Sequence, residues 1–284
     1  MKDSRAHRVE DQQRHPIVQT SGFDSVEEFV LYLIHLRAYE EAARLLRGKS
    51  ILDWGCNDGY GIEVMQRMGC AMIAGLDVSP NAIESAKVRL GSNCALHLYD
   101  GYTLPVEGGS FDAVTSFQCI EHVADCDRFL SHVNGVLKPG GMALFTTPNA
   151  LVRLDPGMRP WNEFHVREYA PSELAQVLSR YFAQVDVQGL YGTDPVQAVE
   201  LDRCARAREK GRRGLADATP ALVRTARRVI PKSIRRLLKG RGRGTTLPPY
   251  STADLFYKKG EIECALDLLA VCVKTPSVQG WKPS

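Results

Sequence analysis

No stretch of this 284-residue chain approaches the roughly 18 to 20 apolar residues that a membrane-spanning helix needs. The chain starts with polar residues and has no apolar segment of the signal-peptide type there. Its eight cysteines are scattered, and no two of them form the C-x-x-C pair that would favour a zinc or redox site. We therefore expect a soluble, cytoplasmic protein whose cysteines are free, reduced thiols that pack as small core residues.

The glycine patterns that bind phosphate groups are also missing. Residues 51–61 read ILDWGCNDGYG, in which Gly55, Gly59 and Gly61 follow a short apolar run. The dinucleotide-binding pattern G-x-G-x-x-G would have a glycine at position 57, where this chain has asparagine, and no Gly-Lys-Ser/Thr of a P-loop follows. This argues against a pyrophosphate ligand. Asparagine tolerates a positive φ, so we expect the tight turn to form, and the Asn57 side chain can add a polar contact to the ligand.

The chain has no strong net charge, with a formal value of +3, but its charges are unevenly distributed. Residues 203–243 contain fifteen Lys and Arg residues against two acids, a net charge of +13, and the rest of the chain has a net charge of −10. Apolar and basic residues alternate over 219–240 around Pro231, which predicts two short amphipathic helices. They could form a solvated face, rest on an anionic membrane surface or bind a phosphorylated acceptor. Aromatic residues are absent from 192–249, which argues against single-stranded nucleic acid.

Apolar runs and helical patterns alternate along most of the chain. Residues 1–22 are polar and aperiodic and predict a flexible arm, whereas 25–47 has the apolar spacing of an amphipathic helix. From residue 50 onward the alternation indicates right-handed crossovers and a doubly wound, mostly parallel α/β sheet covered on both faces. In such sheets ligands bind at the carboxyl ends of the strands, so functional residues are expected just after each apolar run.

Two later runs, 183–191 and 265–275, are predicted to close the sheet as an edge pair. The roughly 70 residues between them are too many for a hairpin loop, so 192–262 is predicted to form an inserted, basic, helical cap. The domain itself would then comprise 23–191 and 263–278.

Acidic and polar residues follow the first four apolar runs. Asp53 lies in the glycine motif, and Asp77 follows the second run 24 residues later, where a carboxylate can accept both hydroxyls of a ribose. The polar residues that follow the third and fourth runs are Asp100, Gln118, Glu121 and His122. Such a rim suits an adenosine with a charged, phosphate-free tail.

Five motifs occur in the order and at the intervals of a known family: ILDWGCNDGYG, GLDVSP, YDG, FDAVTSFQCIEHV and LKPGGMALFTTPN. Over 30–190 the chain resembles the class I S-adenosylmethionine-dependent methyltransferases. Three segments, HLRAYEEAARLL, IEHV and FHVREYAPSEL, more narrowly resemble ubiquinone-biosynthesis O-methyltransferases and bacterial sugar or natural-product methyltransferases. The resemblance implies a seven-stranded, Rossmann-like sheet and S-adenosyl-L-methionine as the cofactor.

The same resemblance implies roles for individual residues. The glycine motif would line the methionine portion, Asp77 would hold the ribose hydroxyls, and Asp100 would meet the adenine amino group. The implied cofactor-binding residues are Asp53, Gly55, Cys56, Asn57, Gly59, Asp77, Val78, Asp100, Gly101 and Gln118. Relatives of the ubiquinone type carry E-x-x-E-H and are thought to use a divalent metal. Because Gln118 replaces the first acid, one anionic ligand is missing and we expect no metal.

The implied reaction is an in-line displacement at a sulfonium methyl group, in which the cofactor supplies the reactivity and the protein the alignment. A hydroxyl acceptor benefits from a general base, and histidine has a suitable pKa near neutrality. His122 and His165 are the candidates, and His122 is preferred because it is expected at the start of a helix over the cofactor. Alternatively, Glu121 and His122 could simply cap that helix.

The favoured function is therefore O-methylation of a small molecule, or of a sugar or glycan hydroxyl, with the cap enclosing the acceptor. A phosphorylated or lipid-linked acceptor, or the inner membrane surface, could contact 203–243. Two alternatives stay open: an RNA methyltransferase that docks through this segment, and a non-catalytic cofactor-binding regulator. A base amino group as acceptor would call for an N-P-P-Y type element where this chain has QCIE.

Overall fold

The computed structural model describes residues 20–216 and 247–276, without the side chains of 213–216. The two helices predicted over 219–240 lie outside the described residues, as does most of the arm predicted for 1–22. The described helices are α1 Val26–Leu45, α2 Tyr60–Arg67, α3 Pro80–Leu90, α4 Cys126–Val136, α5 Ala150–Arg153, α6 Pro171–Leu178 and α7 Asp194–Ala216. Short 3₁₀ turns span Gly91–Asn93, Ile120–His122 and Thr252–Asp254.

Local sequence signals fix the ends of these helices. At the start of α1 the Ser25 hydroxyl accepts the backbone N–H of Glu28, which satisfies one of the unpaired donors of the first turn. At the start of α3 the Ser79 hydroxyl accepts the N–H of Ala82, and Pro80 occupies the first helical position. The amphipathic helix predicted over 25–47 is confirmed as α1.

The strands are β1 Ser50–Trp54, β2 Met72–Asp77, β3 Ala95–Leu98, β4 Phe111–Phe117, β5 Leu137–Pro148, β6 Gln184–Gly192, β7 Leu255–Lys258 and β8 Asp267–Val273. They form one sheet in the order β3-β2-β1-β4-β5-β8-β6-β7. β1 to β5 pair in parallel, whereas β8 is antiparallel to both β5 and β6, and β7 is antiparallel to β6. The strand order reverses beside β1, which creates a crevice at the carboxyl ends of β1 and β4.

The predicted doubly wound α/β fold is confirmed, but two details differ. The sheet has eight strands rather than seven, because 192–262 contributes β7, which pairs with β6. For the same reason β6 and β8 are not an edge pair: β8 lies between β5 and β6, and β7 forms the edge. The division into a domain and a cap stays a prediction. The described part of 192–262 includes both the long helix α7 and this strand of the main sheet.

Helices cover both faces of the sheet. On one face, α4 and α6 pack against alternate strand residues such as Leu52, and on the other, α1, α2 and α3 pack against residues such as Ile51. Both side chains are fully buried, and complete burial of a side chain of this size contributes about 1.5 to 3 kcal/mol. Neighbouring residues of one strand therefore serve two separate cores, as expected for a sheet covered on both sides.

The long helix α7 is fixed to the rest of the fold by apolar and charged contacts. Val196 joins a cluster with residues of α1 and β6. Arg206 forms an ion pair with Glu27 of α1 at 2.6 Å, and Arg212 binds both oxygens of Asp155 at 2.6 and 2.8 Å. The N-terminal part of the inserted segment therefore packs as part of the fold.

All eight cysteines are free thiols, as predicted, but they are not all core residues. Four are buried and three are partly buried, whereas Cys264 is exposed because it lies in the loop before β8. None of the described helices is both long and apolar enough to cross a membrane.

Candidate functional site

A cavity of about 1160 Å³ lies at the carboxyl ends of β1, β2 and β4. It extends from the glycine turn after β1 to the α5–α6 loop and to one face of α7. Of the residues predicted to bind the cofactor, those that line it are Gly55, Asn57, Asp77, Val78, Gly101 and Gln118. Both predicted histidines, His122 and His165, line it as well. One cavity thus brings the predicted cofactor site and the predicted catalytic site together.

The glycine turn takes a left-handed backbone at three positions. φ is 84° at Gly55, 50° at Asn57 and 80° at Gly59, so Asn57 adopts the positive φ that the sequence predicts. The N–H groups of Gly55 and Cys56 donate to the carbonyl of Leu76 at 2.7 and 3.1 Å, which joins the turn to β2. The Asn57 side chain accepts the N–H of the next residue at 2.9 Å and so stabilises its own turn.

Asp77 joins the end of β2 to this turn. Its Oδ2 accepts the N–H of Asn57 at 2.9 Å, and its Oδ1 accepts the N–H of Ser79 at 2.8 Å. Burial raises the pKa of Asp77, and these N–H groups oppose that shift. Each carboxylate oxygen can accept a second hydrogen bond, so Asp77 can still bind hydroxyl groups in the cavity.

Four of the predicted cofactor contacts do not belong to the cavity wall: Asp53, Cys56, Gly59 and Asp100. Asp53 is fully buried, where Thr115 Oγ1 donates to its Oδ1 at 2.7 Å and Tyr39 Oη donates to its Oδ2 at 3.2 Å. Asp100 is exposed, and its Oδ1 accepts the N–H groups of Tyr102 and Thr103, both at 2.7 Å. Asp53 thus binds side chains of the neighbouring strand and helix, Asp100 binds the backbone that follows it, and the direct cofactor contacts of both stay predictions.

Gln118 directly follows β4 and has a positive φ of 51°. Its side-chain amide donates to Thr146 Oγ1 at 3.2 Å and to Asp267 Oδ2 at 2.8 Å. Asp267 lines the cavity and is only 3% exposed, and its Oδ1 has no hydrogen-bond partner among the described residues. The sequence did not predict Asp267 as a site residue, because it lies at the start of a distant strand.

His122 lies in a 3₁₀ turn, four residues before α4, so the prediction that it starts a helix is wrong. The residue that caps α4 is Asp125. His122 Nδ1 is 2.9 Å from the carbonyl oxygen of Phe164, which can only accept, so we assign the proton to Nδ1. Burial and the nearby His165 lower the pKa of His122 to about 4, and the ring stays neutral near neutral pH.

The α5–α6 loop is tied to this 3₁₀ turn. The backbone carbonyl of Glu121 accepts the N–H groups of Val166 and Arg167 at 2.8 and 3.2 Å. As a result, the rings of His122 and His165 lie edge to face, with centroids 4.7 Å apart. Two residues that are 43 positions apart in the sequence therefore share one part of the cavity wall.

Glu121 is fully buried beside the two histidines. Thr147 Oγ1 donates to its Oε2 at 2.9 Å, whereas Oε1 has no partner within the described part of the chain. Burial raises the pKa of Glu121 to about 7. Glu121, His122 and His165 each offer one ligand atom within 4.8 Å of the others, so this group could hold a divalent metal ion. The expected absence of a metal was based on Gln118 alone and stays a prediction.

Two arginine–glutamate pairs, one buried and one partly buried, extend the site away from the glycine turn. Arg153 binds both oxygens of Glu168 at 2.9 and 3.0 Å, and Arg203 of α7 pairs with Glu200. The Trp161 ring contacts both guanidinium groups, at 4.0 Å for Arg153 and 5.1 Å for Arg203. No periodic pattern in the sequence predicts these pairs, although Glu168 follows His165 by three residues.

Known proteins resemble this chain in sequence. Residues 52–145 match the sequence model of a family described as a methyltransferase domain. A Mycolicibacterium smegmatis protein named "Probable S-adenosylmethionine-dependent methyltransferase" is 33% identical over 153 residues, which cover 54% of this chain and 58% of that protein. A ubiquinone biosynthesis O-methyltransferase of Neisseria meningitidis is 31% identical over 152 residues, which cover 46% and 62%. The chain thus spans less than two thirds of the length of either relative.

Solved structures share the fold. A possible histamine N-methyltransferase of Thermotoga maritima superposes with a TM-score of 0.56 at 14% identity, covering 87% of this chain and 92% of that one. The 4+2 cyclase SpnF superposes with a TM-score of 0.54 at 19% identity, covering 92% and 87%. At such identities the similarity establishes the fold alone. Together, the matches confirm the predicted resemblance to the class I S-adenosylmethionine-dependent methyltransferases, and the match to the methyltransferase-domain family extends over residues 52–145.

The residues of the cavity fit the cofactor of this class. A side chain at position 55 would be strained by the φ of 84°, and its Cβ would lie 3.4 Å from Cys119 Sγ, so glycine keeps the backbone accessible. Asp77 presents a buried carboxylate to the same space. The volume of about 1160 Å³ slightly exceeds the range of about 300 to 1,000 Å³ typical of ligand pockets, which leaves room for an acceptor beside a cofactor.

Proposed function

We propose that this chain is an S-adenosylmethionine-dependent methyltransferase that methylates a hydroxyl oxygen of a small molecule, or of a sugar or glycan. One observation carries the proposal: Asp77 and Asn57 at one end of a cavity, and His122 and His165 at the other, share a continuous wall. The first pair lies at the strand ends where this fold class binds its ligand, and the second offers imidazole nitrogens to an acceptor.

On the cofactor side, Asp77 would accept the ribose hydroxyls, and the backbone of Gly55 and Asn57 would lie against the methionine portion. Bound S-adenosyl-L-methionine supplies an electrophilic methyl group. The protein supplies alignment and excludes water. The turn is held by hydrogen bonds to Asp77 and to the carbonyl of Leu76, so its backbone needs little rearrangement on binding.

On the acceptor side, His165 replaces His122 as the favoured base. His122 donates its Nδ1 proton to a neutral carbonyl, and burial makes it a weak base with a pKa of about 4. His165 donates its Nδ1 proton to the Glu168 carboxylate at 2.7 Å, which leaves the lone pair of its Nε2 available to an acceptor proton. A hydroxyl acceptor needs such a group to take its proton as the new bond forms.

The described arginines of α7 do not favour RNA docking. Arg203, Arg206 and Arg212 pair with acids of the same chain, and Arg208 donates to the carbonyl of Val152. Most of the other basic residues of 203–243 lie outside the described residues. The segment can still serve an anionic acceptor or a membrane surface, which we retain as a proposal for its partner.

The cofactor proposal is tested by calorimetric titration of S-adenosyl-L-methionine into the full chain and into Asp77→Asn. A hydrogen bond to a charged group contributes about 1.5 to 3 kcal/mol, so the variant should bind at least about tenfold more weakly. Asp202→Asn is the matched control, because Asp202 is an exposed carboxylate of α7 outside the cavity wall. Equal affinities of wild type and Asp77→Asn would contradict the site.

Transfer is tested separately with methyl-labelled cofactor and fractionated cell extract. Label on an oxygen of a small or glycan acceptor supports the proposal, whereas label on RNA favours the alternative. Because a cyclase shares this fold, binding of the cofactor without transfer to any fraction would instead support a non-methylating role.

A further inference from the structure

We propose that Glu168 is a positioning residue, which holds His165 in the tautomer whose unprotonated Nε2 is available to take the acceptor proton. The inference rests on the proposed methyl transfer and assigns a role to a residue that is not among the predicted site residues. His165 lines the cavity, whereas Glu168 lies behind it with a fully buried side chain.

The first argument is the geometry of the pair. His165 Nδ1 lies 2.7 Å from Glu168 Oε1, and the two side chains are only 5% and 0% exposed. A carboxylate can only accept, so the proton between them belongs to Nδ1 and the lone pair to Nε2. Without this partner, neutral imidazole would populate both tautomers, and the Nε2–H form cannot take a proton at that atom.

The second argument is that Glu168 is itself held ionised and in place. Arg153 occupies both carboxylate oxygens in a bidentate pair and stacks on Trp161 at 4.0 Å. This arrangement fixes the carboxylate, and through it the orientation of the His165 ring.

The third argument is the contrast with His122, the other histidine in the same wall. Its Nδ1 donates to the neutral carbonyl of Phe164, which stabilises an imidazolium less than a carboxylate does. In the proposed step the acceptor O–H bond breaks, its proton goes to His165 Nε2, and the oxygen forms the bond to the methyl group as the sulfur–methyl bond breaks. Glu168 keeps its negative charge beside the imidazolium.

The tautomer is measured by long-range proton–nitrogen NMR on the full ¹⁵N-labelled chain, with the His165 signals assigned from His165→Gln. We expect wild-type His165 to carry its proton on Nδ1. In Glu168→Gln the amide can also donate to Nδ1, so the Nε2–H tautomer should appear. Glu168→Asp is a second variant that keeps a negative charge near Arg153 while shortening the reach to His165, in case the glutamine variant does not fold.

Glu200→Gln is the matched control. Glu200 is also a buried partner of an arginine in the cavity wall, but its pair is with Arg203 and it forms no hydrogen bond with His165. This control should destabilise the fold by removing a buried ion pair yet leave the His165 nitrogen shifts unchanged. Loss of the wild-type tautomer in Glu200→Gln as well as in Glu168→Gln would show a general packing effect and overturn the proposal.

Kinetics complete the test once labelled transfer to an extract fraction is established. Removing an orienting partner or a general base typically costs tenfold to 10⁴-fold, so Glu168→Gln should lower kcat by about a hundredfold while its affinity for S-adenosyl-L-methionine stays within about twofold of wild type. An Nε2–H tautomer of His165 in the wild type would overturn the proposal. So would Glu168 variants that keep the wild-type tautomer and a kcat near that of the wild type. Absence of cofactor binding by wild type would instead contradict the proposed function and leave the tautomer result standing.

Discussion

Asp53 should make the stability of this protein depend on pH in an unusual direction. Its carboxyl group is fully buried, and burial raises its pKa to about 7, although hydrogen bonds from Thr115 and Tyr39 oppose the shift. The charge of Asp77 raises it further. In the unfolded chain an aspartate has a pKa of about 3.9. Between these two values the folded protein keeps a proton that the unfolded chain releases.

The sign and size of the effect follow from linkage. Because the folded pKa is raised, the stability that Asp53 contributes is fully present below about pH 4 and is lost as the pH rises through about 7. A difference of about three pKa units corresponds to about 4 kcal/mol at 1.36 kcal/mol per unit. The Asp53→Asn side chain cannot ionise, so the free energy of unfolding of wild type minus that of Asp53→Asn should fall by this amount between pH 4 and 8.

Urea unfolding at several pH values measures this difference. Trp54 is buried beside Asp53 and gives a fluorescence signal for unfolding, and titrations elsewhere in the chain cancel in the subtraction. Thr115→Val removes one hydrogen bond to the carboxylate and should raise the pKa of Asp53 in the folded protein. The pH at which the stability difference levels off should therefore be higher. A wild-type minus variant difference that stays constant within about 1 kcal/mol from pH 4 to 8 would refute the reasoning, because it would mean that Asp53 titrates alike in both states.

Four further substitutions, at three positions, test the turn and the residue that follows β4. Gly61→Ala would place its Cβ 2.0 Å from a ring atom of the buried Tyr39, and we expect at least about 1 to 3 kcal/mol of destabilisation in urea unfolding. Asn57→Gly should keep wild-type cofactor affinity because glycine tolerates the φ of 50°, whereas Asn57→Val should cost about 1 to 3 kcal/mol of stability through backbone strain. Gln118→Glu would face the Asp267 carboxyl, now 2.8 Å from the amide, so one of the two acids must stay protonated. Its destabilisation relative to wild type should grow by about 1 kcal/mol or more from pH 5 to pH 8 in urea titrations.

The sequence predicts those parts of the site that follow directly from strand ends. Asp77, Gln118 and Glu121 come just after buried runs, and parallel strands bring such positions to one edge of the sheet. The fold class is also predictable, because strand-like apolar runs that alternate with helical patterns are compatible with few topologies. Asn57 was predicted to adopt a positive φ from residue type alone, and it does.

Contacts between distant segments could not be predicted from the sequence. Glu168 sits in an irregular loop, and only the folded chain shows that Arg153 binds it. The strand β7 has four residues and lies in the inserted segment, where its apolar run is too short to distinguish from a loop. The sequence predicts a helix start at His122, but Asp125 caps the helix three residues later. In each case the structure depends on a contact with a distant segment, or on a neighbouring residue that caps the helix instead.

Gln118 occupies the position of the first acid of the E-x-x-E-H motif. The acids of that motif alone do not describe this site completely, because another strand contributes one as well. The Gln118 amide donates a hydrogen bond to Asp267 Oδ2 at 2.8 Å. An ionised glutamate at this position has no proton to donate, so its carboxylate would face the Asp267 carboxylate without a hydrogen bond between them. Asp267 lines the same cavity from β8, whose antiparallel direction brings its first residue to the carboxyl ends of the parallel strands. The wall of the cavity therefore keeps a buried acid beside Glu121, although the motif lost one. The glutamine at position 118 is therefore paired with Asp267 across the sheet, and it does not by itself decide which ligands this end of the cavity can hold.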